Sequence, residues 1–467
     1  MGTSPQKNLA IYFKSLELEN VRCFGEEQTL DLSDGNGGLP QWTLILGNNG
    51  VGKTTLLQCL AWMRPVPAWK KPDRIAPEEG KPPDDLGPAI NDEENEVFNS
   101  LLRLASEESL KLAVILTIDQ DLGGVTEEGD EIKIGLSVVP DKDGKIDKIE
   151  PDESSYSKLK KRWKEPTDLE PTVFAYNATR YMGSSNLEER EFSDPLASLF
   201  TGGPTELYDA EDILITLHHN ALQEKSDNDS KKESDPSKEP PSLSHEERLR
   251  QVKQLLATIL PEDIESEDSI DIRPKVFGKS DAPGGVRFKT PDGLVPFSGL
   301  SLGYQTTMAW VTDLALRLYK LYPKSPNPLK EPAIVLIDEI DLHLHPRWQR
   351  KIMGNLTKHF TKTQFIATTH SPLMAQATPD TNLVVLRRED DDDHVVIDSS
   401  PRFVEGWRLD QILTSELFGL ESARSPHFED LIKRRNKLLD NLNRTSTEED
   451  HLKKIEEDLD KLYIESD

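Results

Sequence analysis

The chain has 467 residues, and its 84 Asp and Glu against 56 Lys and Arg give a formal net charge of −28, which argues against a protein that coats nucleic acid through a uniformly basic surface. That length suits about three domains at roughly 150 residues each, and no apolar run approaches the ~20 residues of a membrane span. Two cysteines, Cys23 and Cys59, fit a reducing compartment and supply no zinc ligand set.

The start, MGTSPQKNLAIYFK, lacks the apolar core of a signal peptide, and Gln6 stands where an N-myristoylation signal carries Ser or Thr. A cytoplasmic protein with no membrane partner is therefore expected. Alternation through Ile11–Leu18 and at Leu30 and Leu32 predicts strands, and 42–46 reads as a short buried strand ending at glycine. A helix is predicted over 54–63, then a Pro- and acid-rich loop over 65–97. The runs LAVILTI, IKIGLSVV and TVFAYNA between 112 and 178 predict a mostly antiparallel patch joined to the first strands.

Residues 224–242 contain no apolar side chain, so a flexible linker or a disordered insertion is expected there, since nothing in it offsets the ordering entropy. Ser244 with Glu247 reads as a capping box opening a helix to about 260. A further helix is predicted over 303–322, a buried strand over 333–337, a helix from Pro346 carrying Ile352, Leu356 and Phe360 on one stripe, and a buried strand over 364–368. A hairpin is predicted at 383–386 and 395–397 around the acidic tip 389–393, where Asp390 and Asp392 read as solvated residues. The last forty residues predict a helical hairpin with a Ser446/Glu449 capping box between its arms.

Gly47, Asn48, Asn49, Gly50, Val51, Gly52, Lys53 and Thr54 match G-x-x-x-x-G-K-[ST], with Thr55 next, between a buried strand and a helix. Such glycines let backbone N–H groups turn onto a phosphate, and the helix N-terminus adds its positive end. Lys53 is expected to reach the β- and γ-phosphates of ATP, and the Thr54 hydroxyl to ligate Mg²⁺. The apolar strand ending in Asp338-Glu339 puts one carboxylate on the Mg²⁺ shell and leaves the next to polarise a water, so Asp338 is assigned to metal and Glu339 to general base.

Phosphate loop, LSLGY at 300–304, LIDEIDLHLHP from Leu336 and ATTHSP from Ala367, in that order, resemble the ATP-binding-cassette ATPases of the RecF, SMC and OLD type, and NVRCF at 20–24 resembles their opening motif. The stretch GWRLDQILTSELFGL, 406–420, is similar to ATPase subunits of anti-phage systems of the Septu type. The resemblance implies an α/β P-loop ABC-ATPase fold: a mixed sheet with flanking helices, an antiparallel β lobe, helical insertions and a C-terminal helical hairpin. It implies a domain layout of 1–200 for the first part of the ATPase, 201–295 for a helical insertion with linker 224–243, 296–400 for the second part and 401–467 for a helical accessory segment.

The same resemblance implies that Ser301 and Gly303 bind the γ-phosphate of an ATP held by the opposite subunit. It puts His370 at the γ-phosphate or the attacking water, Asp341 at the dimer seam and Arg22 near the nucleotide. A homodimer or higher homo-oligomer sandwiching ATP follows, because a second anion site at a helix N-terminus has no phosphate of its own to hold. SMC proteins carry long coiled coils between these motifs, and OLD nucleases carry a nuclease domain after them. Here strands and acidic loops lie between, and 97 residues follow His370. The expected function is thus an ATPase controlling a separate effector in antiviral defence, a nuclease of HNH type favoured over Toprim type.

The alternative is a RecF-like DNA-binding repair ATPase. For it the basic run 158–164, four lysines with Arg162 and Trp163, supplies a nucleic-acid contact, against the plainer reading of a solvated helix face. A transporter's ATP subunit is disfavoured by the DEIDLHLHP string. Phe174 to Arg180 is the expected location of the family's glutamine loop.

Overall fold

The structure, a computed structural model, describes residues 9–34, 37–67, 86–88, 109–118, 122, 130–140, 146–151, 170–183, 195–200, 203–230, 243–260, 264, 266–273, 284–290, 293–377, 380–388, 394–400, 402, 404, 406–441 and 443–464. The basic run 158–164, the acidic tip with Asp390 and Asp392, and most of the 65–97 loop lie outside these residues; within the loop, Pro65–Pro67 pairs antiparallel with Leu86–Pro88. Residues Met1–Glu405 and Gly406–Asp467 form two compact units.

In the first unit a six-stranded sheet runs in the order Val395–Asp398, Thr381–Arg388, Trp42–Gly47, Thr363–Thr368, Ala333–Ile337, Val173–Tyr176. The first pair is antiparallel and all the others are parallel. Ala333–Ile337 and Thr363–Thr368 are buried along their whole length, as the near-continuous apolar runs of a parallel sheet covered on both faces require. Parallel strands gather their C-terminal ends on one side of the sheet, so the turns after Leu46, Ile337, Thr368 and Tyr176 share one edge, the side on which open α/β sheets bind ligands.

A second sheet is antiparallel throughout, in the order Gln28–Asp31, Ile11–Glu19, Leu110–Ile118, Asp130–Pro140, Ile146–Pro151. One core joins it to the parallel sheet: Leu16, Leu18 and Val114 share a buried cluster with Leu56 and Leu60 of the Lys53–Trp62 helix and with Ile334 and Ile366. A bulge between Phe13 and Ser15 breaks the ladder and leaves one peptide to be satisfied elsewhere. The buried Gln364 amide does this from the other sheet, accepting from Phe13 N–H at 3.0 Å and donating to Phe13 O at 2.7 Å.

Several expectations are corrected. TVFAY leaves the antiparallel patch and joins the parallel sheet, pairing Ile337 with Tyr176; an all-apolar run of four serves either sheet equally, so periodicity did not distinguish them. The helix Ala210–Ser230 continues past 224 into the polar stretch, because Gln, Glu, Lys, Ser and Asp extend an existing helix at small cost once it is nucleated. The insertion is more than helical: Ile270–Arg273, Gly285–Thr290 and Gly293–Pro296 form a three-stranded antiparallel sheet, for which Val-Arg-Phe-Lys-Thr followed by Pro-Asp-Gly was a legible hairpin signal.

The helix His245–Ile259 begins at Ser244, whose side chain accepts from Glu247 N–H at 3.1 Å, while the Glu247 carboxylate turns to Arg250 and Gln251. The helix from Pro346 stops at Gln349 and a new one runs Ile352–His359. In the second unit Leu409–Leu413 is a short helix, and Pro426–Asp440 packs on Ser446–Ile464 through Phe428, Leu431 and Leu459. The cap between these arms lies one residue earlier than expected: Glu448 Oε2 accepts from Thr445 N–H at 2.8 Å, and Thr445 Oγ1 from Glu448 N–H at 3.4 Å.

Candidate functional site

Gly47, Gly50 and Gly52 all take positive φ, at 149°, 77° and 89°, as a chain must when it wraps back on itself between a strand and a helix. Two of the three are also sterically closed. A Cβ at Gly52 meets Cys23 Sγ at 2.6 Å and the Phe24 ring at 2.8 Å, and one at Gly47 meets Leu386 O at 2.6 Å. The loop therefore exposes Asn48, Asn49 and Gly50 while Val51 packs inward.

Lys53 is buried, and its ammonium spans the loop, donating to Gly47 O and Asn48 O at 2.9 Å each. Burial lowers its pKa, and the carboxylates of Asp338, Glu339 and Asp341 work against that shift. A charge so placed fits an anionic ligand lying in the loop, which would exchange two carbonyl contacts for phosphate oxygens.

Thr54 Oγ1 donates to Asp338 Oδ2 at 2.8 Å across 284 positions of sequence. The other carboxylate oxygen, Oδ1, accepts from Thr368 Oγ1 at 2.6 Å, and Thr368 Oγ1 in turn accepts from Glu339 N–H at 2.7 Å. A hydroxyl and a carboxylate in direct contact, beside a lysine, suit Mg²⁺, which takes one or two protein oxygens and completes its shell with phosphate and water. Among the described residues no group of three or more His, Cys, Asp or Glu gathers as a metal site.

Glu339 has φ 49°, a left-handed conformation uncommon outside glycine. Its backbone is held from both sides, by Thr368 at the N–H and by Arg180 at the carbonyl, 3.0 Å away. Arg180 also donates to Asp338 O and Asn177 O at 2.7 Å each. Burial lowers the Arg180 pKa to about 10, opposed by Asp338, Glu339 and Asp341, so it stays charged at neutral pH. Sequence reasoning missed both Arg180 and Thr368 as site residues. Each stood inside a motif already singled out, and for Arg180 an arginine four positions after the apolar strand Val173–Tyr176 was the available signal.

His370 follows the Thr363–Thr368 strand, and its Nε2 is buried with no hydrogen-bond partner among the described residues, a donor or acceptor left for a ligand. Asp341 faces the same turn, its Oδ1 accepting from Thr369 Oγ1 at 2.6 Å and His370 N–H at 3.4 Å. Asn177, at the end of Val173–Tyr176, lies next to Asp338, whose N–H donates to Tyr176 O at 2.8 Å. Its amide Nδ2 is tied to Thr205 Oγ1 at 2.8 Å while its buried Oδ1 has no partner among the described residues.

Arg22 packs on the helix behind the loop, donating to Thr55 Oγ1 at 3.0 Å and Gln58 Oε1 at 3.2 Å, with its pKa lowered by burial. Ser301 and Gly303 open the helix Leu302–Leu321, Ser301 at the N-cap and exposed. Gly303 backs onto the turn after Asp341: a Cβ there meets His343 O at 2.2 Å. No hydrogen bond among the described residues joins Ser301 or Gly303 to the phosphate loop. The Gly47–Thr55 loop, Asp338, Glu339 and His370 form one cluster at the sheet edge, and Gly303 packs on the turn that follows Asp341.

Residues 43–375, more than half of the chain, match a family described as "AAA domain, putative AbiEii toxin, Type IV TA system". The chain is 50% identical to "Retron Ec83 probable ATPase" of Escherichia coli over 88 residues, 19% of this chain and 16% of that protein. It is 35% identical to "Septu protein PtuA" of Bacillus mycoides (strain KBAB4) over 162 residues, 35% of this chain and 22% of that protein. The matches thus span under a quarter of either relative's own length. A solved structure, "SMC head domain from Thermotoga maritima", is 14% identical with a TM-score of 0.38, covering 83% of this chain and 98% of that one. No helix among the described residues is long and apolar enough to cross a membrane.

Proposed function

The chain belongs to the AAA-domain family matched by its residues 43–375, and we propose that it binds and hydrolyses ATP as an ABC-type ATPase that controls a separate effector in antiviral defence. The observation that carries the enzymatic part is the Thr54–Asp338 hydrogen bond, which joins the end of the phosphate loop to the acidic strand end as nucleotide and metal binding require.

In this reading Gly47 to Thr55 wrap the phosphates, Lys53 neutralises them, and Thr54 with Asp338 would hold Mg²⁺, whose chemistry when bound is to offset charge on the phosphate oxygens. Glu339 takes the proton of the attacking water, and His370 Nε2 orients that water or contacts the γ-phosphate. Ser301 and Gly303, at the N-terminus of the Leu302–Leu321 helix, serve the ATP of a second copy, and Arg22 steadies the first turn behind the loop. The likeness to a retron ATPase and a Septu protein supports the defence role; the separate effector, a nuclease of HNH type favoured, is part of the proposal.

Lys53→Ala should weaken ATP binding about tenfold to a hundredfold, the loss of charge-assisted hydrogen bonds; unchanged affinity in a fluorescent-nucleotide titration would undo the site assignment. Glu339→Gln should keep ATP bound longer than wild type and hold more of the protein in an assembled state at saturating ATP. Light scattering and nucleotide dissociation rates read both, and equal lifetimes would show that Glu339 is not the base. Co-expression with the product of the neighbouring reading frame tests the effector: an HNH nuclease that co-purifies supports the proposal, and a Toprim protein redirects it.

A further inference from the structure

We propose that Arg180 is a positioning residue for the hydrolytic carboxylate: it fixes the peptide that follows Glu339 and so sets where the Glu339 side chain stands. The inference rests on the reading of Glu339 as general base.

Arg180 opens the short strand Arg180–Met182, which pairs in parallel with Thr205–Leu207, and is 5% exposed. Burying a guanidinium is costly and is ordinarily offset by an ion pair. Here its hydrogen bonds go to three main-chain carbonyls, Asn177, Asp338 and Glu339, and among the described residues it makes no salt bridge to a carboxylate. Its Nε is buried without a partner. A group whose only task was to balance the charges of Asp338, Glu339 and Asp341 would face their oxygens. Arg180 instead spends its donors on the backbone of two of them.

That backbone needs holding. Glu339 sits at φ 49°, and such a conformation in a side-chain-bearing residue persists only where its surroundings over-determine it. Two bonds do so: Thr368 Oγ1 takes the Glu339 N–H at 2.7 Å, and the Arg180 Nη2 reaches the Glu339 carbonyl at 3.0 Å. With both flanking peptides fixed, the Cα–Cβ direction of Glu339 is fixed too. The planar fork is what the task demands: Nη1 reaches the Asn177 and Asp338 carbonyls while Nη2 reaches that of Glu339. A lysine ammonium offers donors from a single point and cannot span the same carbonyls with one rigid geometry.

The test is a double-mutant cycle on the full-length chain, read by single-turnover hydrolysis of labelled ATP and by nucleotide affinity. Arg180→Met should lower the turnover rate about a hundredfold, the usual consequence of a catalytic group displaced by an ångström or so, with ATP affinity within about threefold of wild type. Arg180→Lys should fall between the two, and added guanidinium ion should restore part of the rate to Arg180→Ala and none to Glu339→Gln. Combining Arg180→Lys with Glu339→Gln should slow the reaction no further than Glu339→Gln alone, because the arginine acts through the carboxylate. Arg180→Lys carries the cycle should the methionine variant fail to fold. Wild-type turnover in the lysine and methionine variants, losses that multiply in the double variant, or a loss of affinity matching the loss of rate would each overturn the proposal. Wild-type turnover in Glu339→Gln with Arg180→Lys still slow would show that the base assignment itself had failed.

Discussion

Gly52 shows how tightly single positions are specified. Its φ of 89° and the approach of Cys23 and Phe24 to where a Cβ would lie make any side chain there strained. Gly52→Ala should destabilise the first unit by about 1–3 kcal/mol and abolish nucleotide binding, to be read by thermal unfolding and by titration. Thr368 carries two bonds on one hydroxyl, to Asp338 Oδ1 and from Glu339 N–H. Thr368→Val keeps the shape and leaves a buried carboxylate oxygen and an amide short of partners, which costs about 1–3 kcal/mol. The expected result is slower hydrolysis with ATP affinity nearly kept, measured as a split between kcat and KM. Neither role was visible one residue at a time: ATTHSP marked the place, but the turn of Glu339 toward Thr368 is a property of the folded backbone.

At the scale of elements, the helix Leu302–Leu321 is tied to the strand Val173–Tyr176 by a buried polar cluster. Tyr176 OH donates to Asp313 Oδ2 at 2.8 Å, and Arg317 Nε donates to the same oxygen at 2.8 Å from one turn further along. Burial, and then the Asp313 charge, hold the Tyr176 phenol well above its ordinary pKa, so it remains a donor. Asp313→Ala removes the buried carboxylate that Tyr176 and Arg317 share and should cost about 3–5 kcal/mol, seen as a lowered denaturant midpoint; Asp313→Asn should cost less. In the second unit, Thr445→Ala should remove about 1 kcal/mol from the helix Ser446–Ile464. Glu448 accepts from the Thr445 amide and hydroxyl, and these bonds hold its pKa below the usual 4.5. Its contribution is therefore complete above that ordinary value and is lost as pH falls through the lower folded value, which hydrogen exchange at the Thr445 amide would follow.

On the scale of the whole molecule, Gly406–Asp467 has a core of its own in Phe428, Leu431 and Leu459, while the elements that build the phosphate site all lie before Glu405. A chain ending at Glu405 should therefore still unfold cooperatively and bind ATP with wild-type affinity, as scanning calorimetry and nucleotide titration would read. The −28 charge is local: segments 77–96, 119–153, 262–271, 389–393 and 448–467 sum to −32, which leaves the rest, every ATP motif included, at +4. A near-neutral body of this kind suits a ligand as anionic as ATP better than the total charge suggests.

The amino-acid sequence by itself determined the phosphate loop, the acidic strand end, the buried strands that carry them and the amphipathic helices, because each rests on a local rule: glycine where φ is positive, an apolar run where both faces of a sheet are covered, a period of 3.6 where one helix face is buried. Only the tertiary structure decided which sheet TVFAY joins, that Thr54 and Asp338 touch across 284 positions, and that Arg180 and Thr368 lock Glu339 from opposite sides. Those facts depend on which strand ends the parallel sheet sets side by side, and strand order is a matter of non-local pairing that no window of sequence contains.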